Sequence, residues 1–299
     1  MILCCGEALI DMIPDPVTGG FVPHPGGAAL NSAVALGRLD HPVGLIAGVS
    51  TDPFGGQLIA HMEANAVSER WAIRNEHPTT LAFVHLTDGD AQYSFYDRCT
   101  AGREVYPADI PSVPRETQAL LFGGISLIHD PASAAFADLA KQQAGKRVIM
   151  LDPNIRPALV ADGPDYRRRL QEIAACADII KLSDEDVAWL GPDCALSGRS
   201  LTLITHAENG ASAVLANGNR VDVPGRVVEV VDTVGAGDTF NAANLAWLRS
   251  QGWLDGAGLV GLTEPEIGQG LQFACEAASL SVTRPGACPP FASELAAKR

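Results

Sequence analysis

The sequence predicts a doubly wound α/β fold, a mostly parallel sheet flanked by helices. Short apolar runs rich in β-branched residues recur through the chain, and longer stretches with helical periodicity follow them. Strands that alternate with helices in this way build parallel βαβ units. At two places, Gly26-Gly27-Ala28 and Gly235-Ala236-Gly237, glycines lead straight into an apolar helix. The length of 299 residues suits one large α/β domain or two smaller ones. No Ser/Gly linker, low-complexity tract or internal repeat divides it, so residues 1–299 are read as a single domain.

In chain order, the expected strands are 2–5, 43–48, 119–122, 148–151, 179–182, 201–205 and 227–231. A helix is expected over 26–39, where Ala28, Leu30, Ala33, Val34 and Leu36 crowd the face that packs on the sheet. Two more are expected over 236–249 and 266–281. Residues 12–23, with Pro14, Pro16, Gly19 and Gly20, break this rhythm, as do residues 79–98. In the latter, alternating segments 80–86 and 92–96 flank Thr87-Asp88-Gly89-Asp90, a hairpin turn signal. These stretches predict a small β-sheet lid built from about 12–23 and 79–105. Ala82, Phe83, Val84 and Tyr93 would give it an exposed apolar face that needs a cover, which favours a homodimer through the lid.

The charge balance, 21 Lys+Arg against 35 Asp+Glu, gives a net charge of −14. A nucleic-acid backbone would be repelled, so no such partner is expected. No apolar run approaches the ~18–20 residues that span a bilayer, and the first residues lack a basic leader pattern. Seven cysteines without a CxxC read as buried thiols of a reducing compartment, so the cytoplasm is expected. Cys4-Cys5 reads as core filler in the first strand, or as a redox or metal element, for which the needed ligand spacing is missing.

The segment from Val230 to Asn241, where an apolar strand is expected to run into glycines and then into an apolar helix, has the strongest chemical content. Its glycines let several N–H groups converge where the positive end of a helix dipole faces outward, which suits an anion. Asp238 lies on the first turn beside that hole. It is either a base that takes a proton from an attacking hydroxyl or an acid favoured by the dipole alone. Gly26-Gly27-Ala28-Ala29-Leu30-Asn31 forms a second such entry, and Asp11 closes the first strand in the run Gly6–Asp11. Asp11, Gly27 and Asn31 would meet in one crevice and bind polyol hydroxyls, or act only as caps and turns. Leu151-Asp152-Pro153-Asn154-Ile155-Arg156-Pro157 leaves a strand with Arg156 facing a phosphate or sugar, or forms a surface turn. GxxxxGK[ST] and the full dinucleotide glycine fingerprint are both absent.

The run from Gly26 to Leu39, the run from Asp232 to Phe240, Asp152–Arg156 between them and Thr283–Ala287 near the end together resemble the ribokinase-like (PfkB) carbohydrate kinase family. Within it, Gly6–Asp11, the segment from Phe95 to Arg103 and Lys181–Asp186 look most like bacterial fructokinases. The resemblance implies ATP-dependent transfer of a γ-phosphoryl to a sugar hydroxyl, with Mg²⁺ on the nucleotide. Asp238 would be the base, and the amides of Gly235, Ala236, Gly237 and Asp238 the anion hole. It implies sugar binding by Asp11, Gly26, Gly27, Asn31, Tyr96, Arg98 and Arg156. Nucleotide contacts would fall on Lys181, Ser183, Thr205, Gly210, Gly235, Gly237 and Cys275. Asp186 would organise the Mg²⁺ water shell, and Asp232, Val234, Ser281 and Gly286 would supply oxygens for a K⁺. Four positions depart from the family pattern: Ser183 and Asp186 stand where Asn-x-x-Glu is usual, Ala207 where glycine is, and Cys275 where Asn or His is. D-fructose is the expected acceptor, with 2-keto-3-deoxygluconate or ribose as alternatives. A sugar-binding regulator without catalysis is the alternative from another class.

Overall fold

The computed structural model describes residues 1–87 and 90–296. The chain enters a large sheet with β1 (Ile2–Cys5) and leaves it at once for β2 (Leu9–Pro14) and β3 (Phe21–Gly26). Helix α1 (Ala28–Arg38) returns it to β4 (Val43–Ile46), followed by β5 (Gly48–Ser50), α2 (Pro53–Ala64), β6 (Val67–Ser68) and β7 (Ile73–Asn75). The hairpin β8 (Leu81–Thr87) and β9 (Asp90–Tyr96) comes next. Then follow β10 (Ala119–Gly123), α3 (Ala132–Gln143), β11 (Val148–Asp152), α4 (Gly163–Ala174), β12 (Ile179–Ser183) and α5 (Asp184–Leu190). The chain continues through β13 (Leu201–Thr205), β14 (Gly210–Leu215) and β15 (Arg220–Pro224). It ends with α6 (Ala236–Ser250), α7 (Gly256–Val260), α8 (Glu264–Ser281) and α9 (Ala292–Ala296).

The large sheet has the order β15-β14-β13-β12-β11-β10-β1-β4-β6. It is parallel from β13 to β6, and β14 and β15 add an antiparallel edge. Helices cover both faces, which is why its central strands read as continuous apolar runs. In β1, Ile2 and Cys4 join the core under α1, α6 and α8, while Leu3 and Cys5 join the core under α3 and α4. The Cys4-Cys5 pair is therefore packing material, divided between the two layers. All seven cysteines are free thiols, but they are not uniformly buried: Cys99 is exposed in the turn after β9. No helix among the described residues is long and apolar enough to cross a membrane.

The second sheet has the order β3-β2-β8-β9. It starts earlier than expected: β2 begins at Leu9, so Asp11 belongs to this small sheet and does not close the first strand. Gly6, Glu7 and Ala8 interrupt the apolar run after Cys5 and carry the chain from one sheet to the other. No strand is formed over 97–105. Asp88 and Gly89 of the expected turn lie outside the described residues. The expected exposed face does not exist as drawn, because strand side chains alternate. Register places Ala82 and Val84 with Phe95 and Tyr93 on one face, and Phe83 with Ser94 on the other. Ala82 and Val84 are buried.

The expected strand at 227–231 is also absent. β15 ends the large sheet at Pro224, so this β-branched run has no neighbour to pair with, and β propensity without a ladder does not make a strand. Val227 is fully exposed, at 101%, and Val231 N–H donates instead to Val282 O at 2.8 Å.

Candidate active site

The carboxyl ends of β1, β10, β11, β12 and β13 open on one side, where crevice sites form in such sheets. There the small sheet, α1, α6 and α8 enclose a cavity of about 1140 Å³. It brings together Asp11, Gly27, Asn31, Arg156, Lys181, Ser183, Asp186, Thr205, Gly210, Val234, Gly235, Ala236, Gly237, Asp238 and Cys275, drawn from the whole length of the chain.

At one end, α6 points its first turn into the cavity. Gly235 caps it at φ +76°, a left-handed conformation that glycine adopts without a Cβ penalty. A Cβ there would also lie 2.8 Å from the Ala287 Cβ. Ala236 N–H donates to Thr233 O at 3.3 Å and is already engaged. The next amides, of Gly237 and Asp238, lie in the first turn, where no intrahelical acceptor is in reach. Asp238 is buried, and its Oδ2 accepts from Asn31 Nδ2 at 2.9 Å. Burial pushes its carboxyl up to about 7, with Asn31 acting against this and the Asp152 charge adding to it. An acid near 7 exchanges a proton readily at neutral pH.

Asn31 stands one turn into α1, whose N-cap is Gly27 at φ +106°. Glu7, buried behind this turn, accepts from Ala28 N–H at 3.1 Å and Ser126 N–H at 3.3 Å; burial raises its pKa. Asp11 reaches the cavity from β2. Burial lifts its carboxyl to about 6 against the pull of Arg156. Gly26 does not line the cavity; a Cβ there would fall 2.1 Å from Asp11 Oδ2, so the glycine makes room for that carboxylate. Arg156 is held at the rim by Asn154, which accepts from its Nη1 through Oδ1 at 2.7 Å and through its carbonyl at 3.1 Å.

Besides Gly26, two expected sugar contacts are not brought in. Tyr96 is 64% exposed and meets Phe83 edge-on at 5.3 Å on the outer face of the small sheet. Arg98 is exposed in the turn beyond it. Strand parity explains this: the inward residues of β9 are Tyr93 and Phe95, stacked with centroids 5.9 Å apart, and both line the cavity. Sequence reasoning passed over these two, together with Glu7 and Asn154, as cavity-lining groups.

At the other end, Ser183 and Asp186 form a reciprocal cap on α5. Ser183 Oγ accepts from Asp186 N–H at 3.1 Å, and Asp186 Oδ2 accepts from Ser183 N–H at 2.8 Å and from Ser183 Oγ–H at 3.0 Å. Asp186 Oδ1 also accepts from Ile155 N–H at 2.8 Å. Thr205 and Gly210 bracket a turn in which Ala207 sits at φ +48°. His206 in that turn has Nδ1 2.8 Å from Asp184 Oδ1 and Nε2 2.7 Å from Ser212 Oγ. Cys275, half-buried on α8, has its thiol pushed up to about 11 by burial. Val227, Val228 and Val230 lie along the same wall. Nearby, Asp232 accepts from Val234 N–H at 3.0 Å and Gly286 N–H at 2.8 Å, tying two loops together. The Ser281 carbonyl accepts from Arg284 N–H at 3.2 Å.

Free amides at a helix start, a buried carboxyl poised near neutrality and a polar pocket beside them are the kinds of group that phosphoryl transfer to a hydroxyl calls for. The chain belongs to the pfkB family of carbohydrate kinases, whose model matches residues 1–294. It is 43% identical over 282 residues to a fructokinase of Rhizobium leguminosarum bv. trifolii, covering 90% of this chain and 86% of that one. A fructokinase of Klebsiella pneumoniae is 34% identical over 260 residues, covering 83% and 84%. The solved structure of a fructokinase with bound ATP from Xylella fastidiosa superposes with a TM-score of 0.91 at 29% identity, covering 99% of this chain and 97% of that one.

Proposed function

We propose that this carbohydrate kinase transfers the γ-phosphoryl of ATP to D-fructose, giving fructose 6-phosphate. The observation that carries the reading is the Asp238 carboxyl, buried between Asn31 and the first turn of α6. Asp238 takes the proton of the sugar hydroxyl as its oxygen bonds to the γ-phosphorus, and the bond from that phosphorus to the β–γ bridging oxygen breaks to release ADP. The Gly237 and Asp238 amides stabilise the charge on the transferring group.

The sugar end favours a neutral polyol. Asp11 and Asp238 face it, with Asn31 and Asn154 as amides and Arg156 as a cation that Asp11 already attracts. A keto acid would bring a further carboxylate against these two. The small sheet serves as the lid, with Tyr93 and Phe95 packing over the sugar. At the nucleotide end Lys181, Ser183, Thr205, Gly210 and Cys275 contact ATP.

Magnesium bound with the nucleotide would neutralise phosphate charge. Three of the acceptor positions on Asp186 are taken by Ser183 and Ile155, so Asp186 fits that ion through water, beside Asp184 and Glu185 on the same wall. Asp232, Val234, Ser281 and Gly286 are the residues that would hold potassium. The outer face of the lid, with Phe21 and Tyr96 exposed, is proposed as a homodimer contact; light scattering that gives a monomer at working concentration would exclude it.

The functional test is ADP release with fructose, ribose, glucose and 2-keto-3-deoxygluconate, with Mg²⁺ and with or without K⁺. Fructose turnover that falls ~10²–10⁴-fold in Asp238→Asn, with fructose binding retained, supports the mechanism. Preference for another acceptor changes the substrate and keeps the chemistry. Sugar binding without turnover by the parent protein would identify a regulator instead.

A further inference from the structure

Below the anion hole lies a buried polar cluster, of which the steps above use only Lys181, as a nucleotide contact. Asp152 at the end of β11, Lys181 on β12 and Asn241 on α6 are 3%, 4% and 1% exposed. One oxygen, Asp152 Oδ2, accepts from both Asn241 Nδ2 at 2.6 Å and Lys181 Nζ at 3.3 Å. The other, Oδ1, accepts from Asn154 N–H at 3.2 Å. Three elements are therefore tied at one carboxylate.

We propose that Asp152 and Asn241 are positioning residues, which together hold the Lys181 ammonium under the first turn of α6 and aimed at the transferring phosphoryl. This rests on the phosphoryl-transfer reading of the site. A Cβ built on Gly237 would lie 3.1 Å from Lys181 Nζ, so the ammonium sits directly against the anion hole. An ammonium has three N–H donors; Asp152 engages it from below, and Lys181 also lines the cavity. Asn241 follows Asp238 by three residues, on the same side of α6, so one helix turn carries both the base and the amide that fixes the lysine's counterion. The Asn241 Oδ1 is buried with no hydrogen-bond partner. The amide is thus held in place by its donor alone, with its acceptor left orphaned in the interior.

The cluster also bears on the base. Asp238 faces Cys4 from β1, Asn31 from α1, Asp152 from β11, Arg156 from the following loop and Lys181 from β12. Lys181 in turn faces Asp152, Asp186 and Asp238. An ionised Asp152 opposes loss of the Asp238 proton and Lys181 favours it, so changing one charge of the pair moves Asp238 in a defined direction.

The test combines calorimetric binding of ADP and a non-hydrolysable ATP analogue with the pH dependence of fructose phosphorylation. The full chain carries Asp152→Asn, Asn241→Asp, Asn241→Leu or the Asp152→Asn/Asn241→Asp swap, and folding of each is checked by thermal unfolding. Asn241→Leu and Asp152→Asn are expected to weaken the ATP analogue about tenfold or more, and more than ADP. The acid limb of the rate profile should move down in pH in Asp152→Asn and up in Asn241→Asp, and return in the swap, which restores one carboxylate and one amide. Asn241→Ala, which removes the donor without adding bulk, serves if the leucine variant does not fold. Unchanged analogue affinity, limbs that move the same way, or a folded swap that restores neither property overturns the proposal. If the parent phosphorylates no sugar, the fructokinase reading falls, and the calorimetry decides the role of the cluster by itself.

Discussion

Replacing Asp238 with asparagine should cost activity and add stability, and the gain should grow with pH. In the folded protein its carboxyl sits at about 7, against an ordinary 3.8, and each pH unit of difference is worth ~1.4 kcal/mol. The folded state binds the proton more tightly than the unfolded chain. Its contribution to stability is therefore fully present below 3.8 and is lost as pH rises through 7, where the fold bears a cost of about 4 kcal/mol. The hydrogen bond from Asn31 is already counted, since it is one of the influences that hold the carboxyl down. Asparagine does not titrate, so the variant escapes this cost. Urea unfolding of parent and Asp238→Asn at pH 5 and pH 8.5 should show the variant's advantage growing by about 2–3 kcal/mol between the two. All other titrating groups are common to both proteins and cancel to first order. In the parent, kcat/KM should rise through about pH 7 as the base loses its proton. An advantage that does not grow, or a parent that is the more stable at pH 8.5, would refute the view that this fold holds Asp238 as a weak acid.

The other predictions follow from backbone geometry and strand parity. Ala207 occupies φ +48°, a conformation that costs an L-residue ~1–2 kcal/mol; glycine relieves this and gives back ~0.5–1 kcal/mol through the unfolded chain. Ala207→Gly should then raise the thermal midpoint by about 1–3 °C; a fall would show that the turn is not strained. Gly26→Ala drives a methyl to within 2.1 Å of Asp11 Oδ2, and should raise the fructose KM several-fold while the KM for ATP stays put; equal changes in both would point to general damage. Tyr93→Ala and Phe95→Ala should raise the fructose KM by roughly 10-fold or more through lost contact area, whereas Tyr96→Ala and Arg98→Ala leave it within about twofold. The reverse pattern would mean that the small sheet presents its other face to the sugar.

Much of the fold was legible because the main sheet is covered on both sides, so β1, β10 and β11 up to Asp152 appear as unbroken apolar runs, while β12 and β13 are interrupted only by Lys181 and Thr202 before their last residues. The glycine entry into α6 was legible for a related reason: it is made of backbone, and only a local run of glycines before a helix is needed to write it. The lid was harder. In Tyr93-Ser94-Phe95-Tyr96 the consecutive aromatics break the alternation, so composition alone does not say which of residues 93 and 96 faces in. Register against β8 decides it. The run at 227–231 failed as a strand because pairing depends on a neighbour that the local sequence cannot specify. The Asp152–Lys181–Asn241 cluster was invisible for the same reason at longer range. Asp152 and Lys181 could be singled out one by one and Asn241 not at all, and only the packing of α6 on the sheet brings the three to one oxygen.

The departures at Ser183 and Asp186 are explained together. Where the family pattern has an amide and a longer acid, this chain has a hydroxyl and a shorter acid, and the two bond reciprocally across the first turn of α5. Each shortening compensates for the other: a serine Oγ reaches the N–H of residue 186, and an aspartate at 186 returns to the N–H and hydroxyl of Ser183. The bond from Ile155 N–H to Asp186 then locks the loop that carries Arg156 to the end of β12. A single substitution at either position would leave a polar group without its partner, and would loosen both the first turn of α5 and the loop that carries Arg156. The pair therefore forms one structural unit linking the two ends of the cavity.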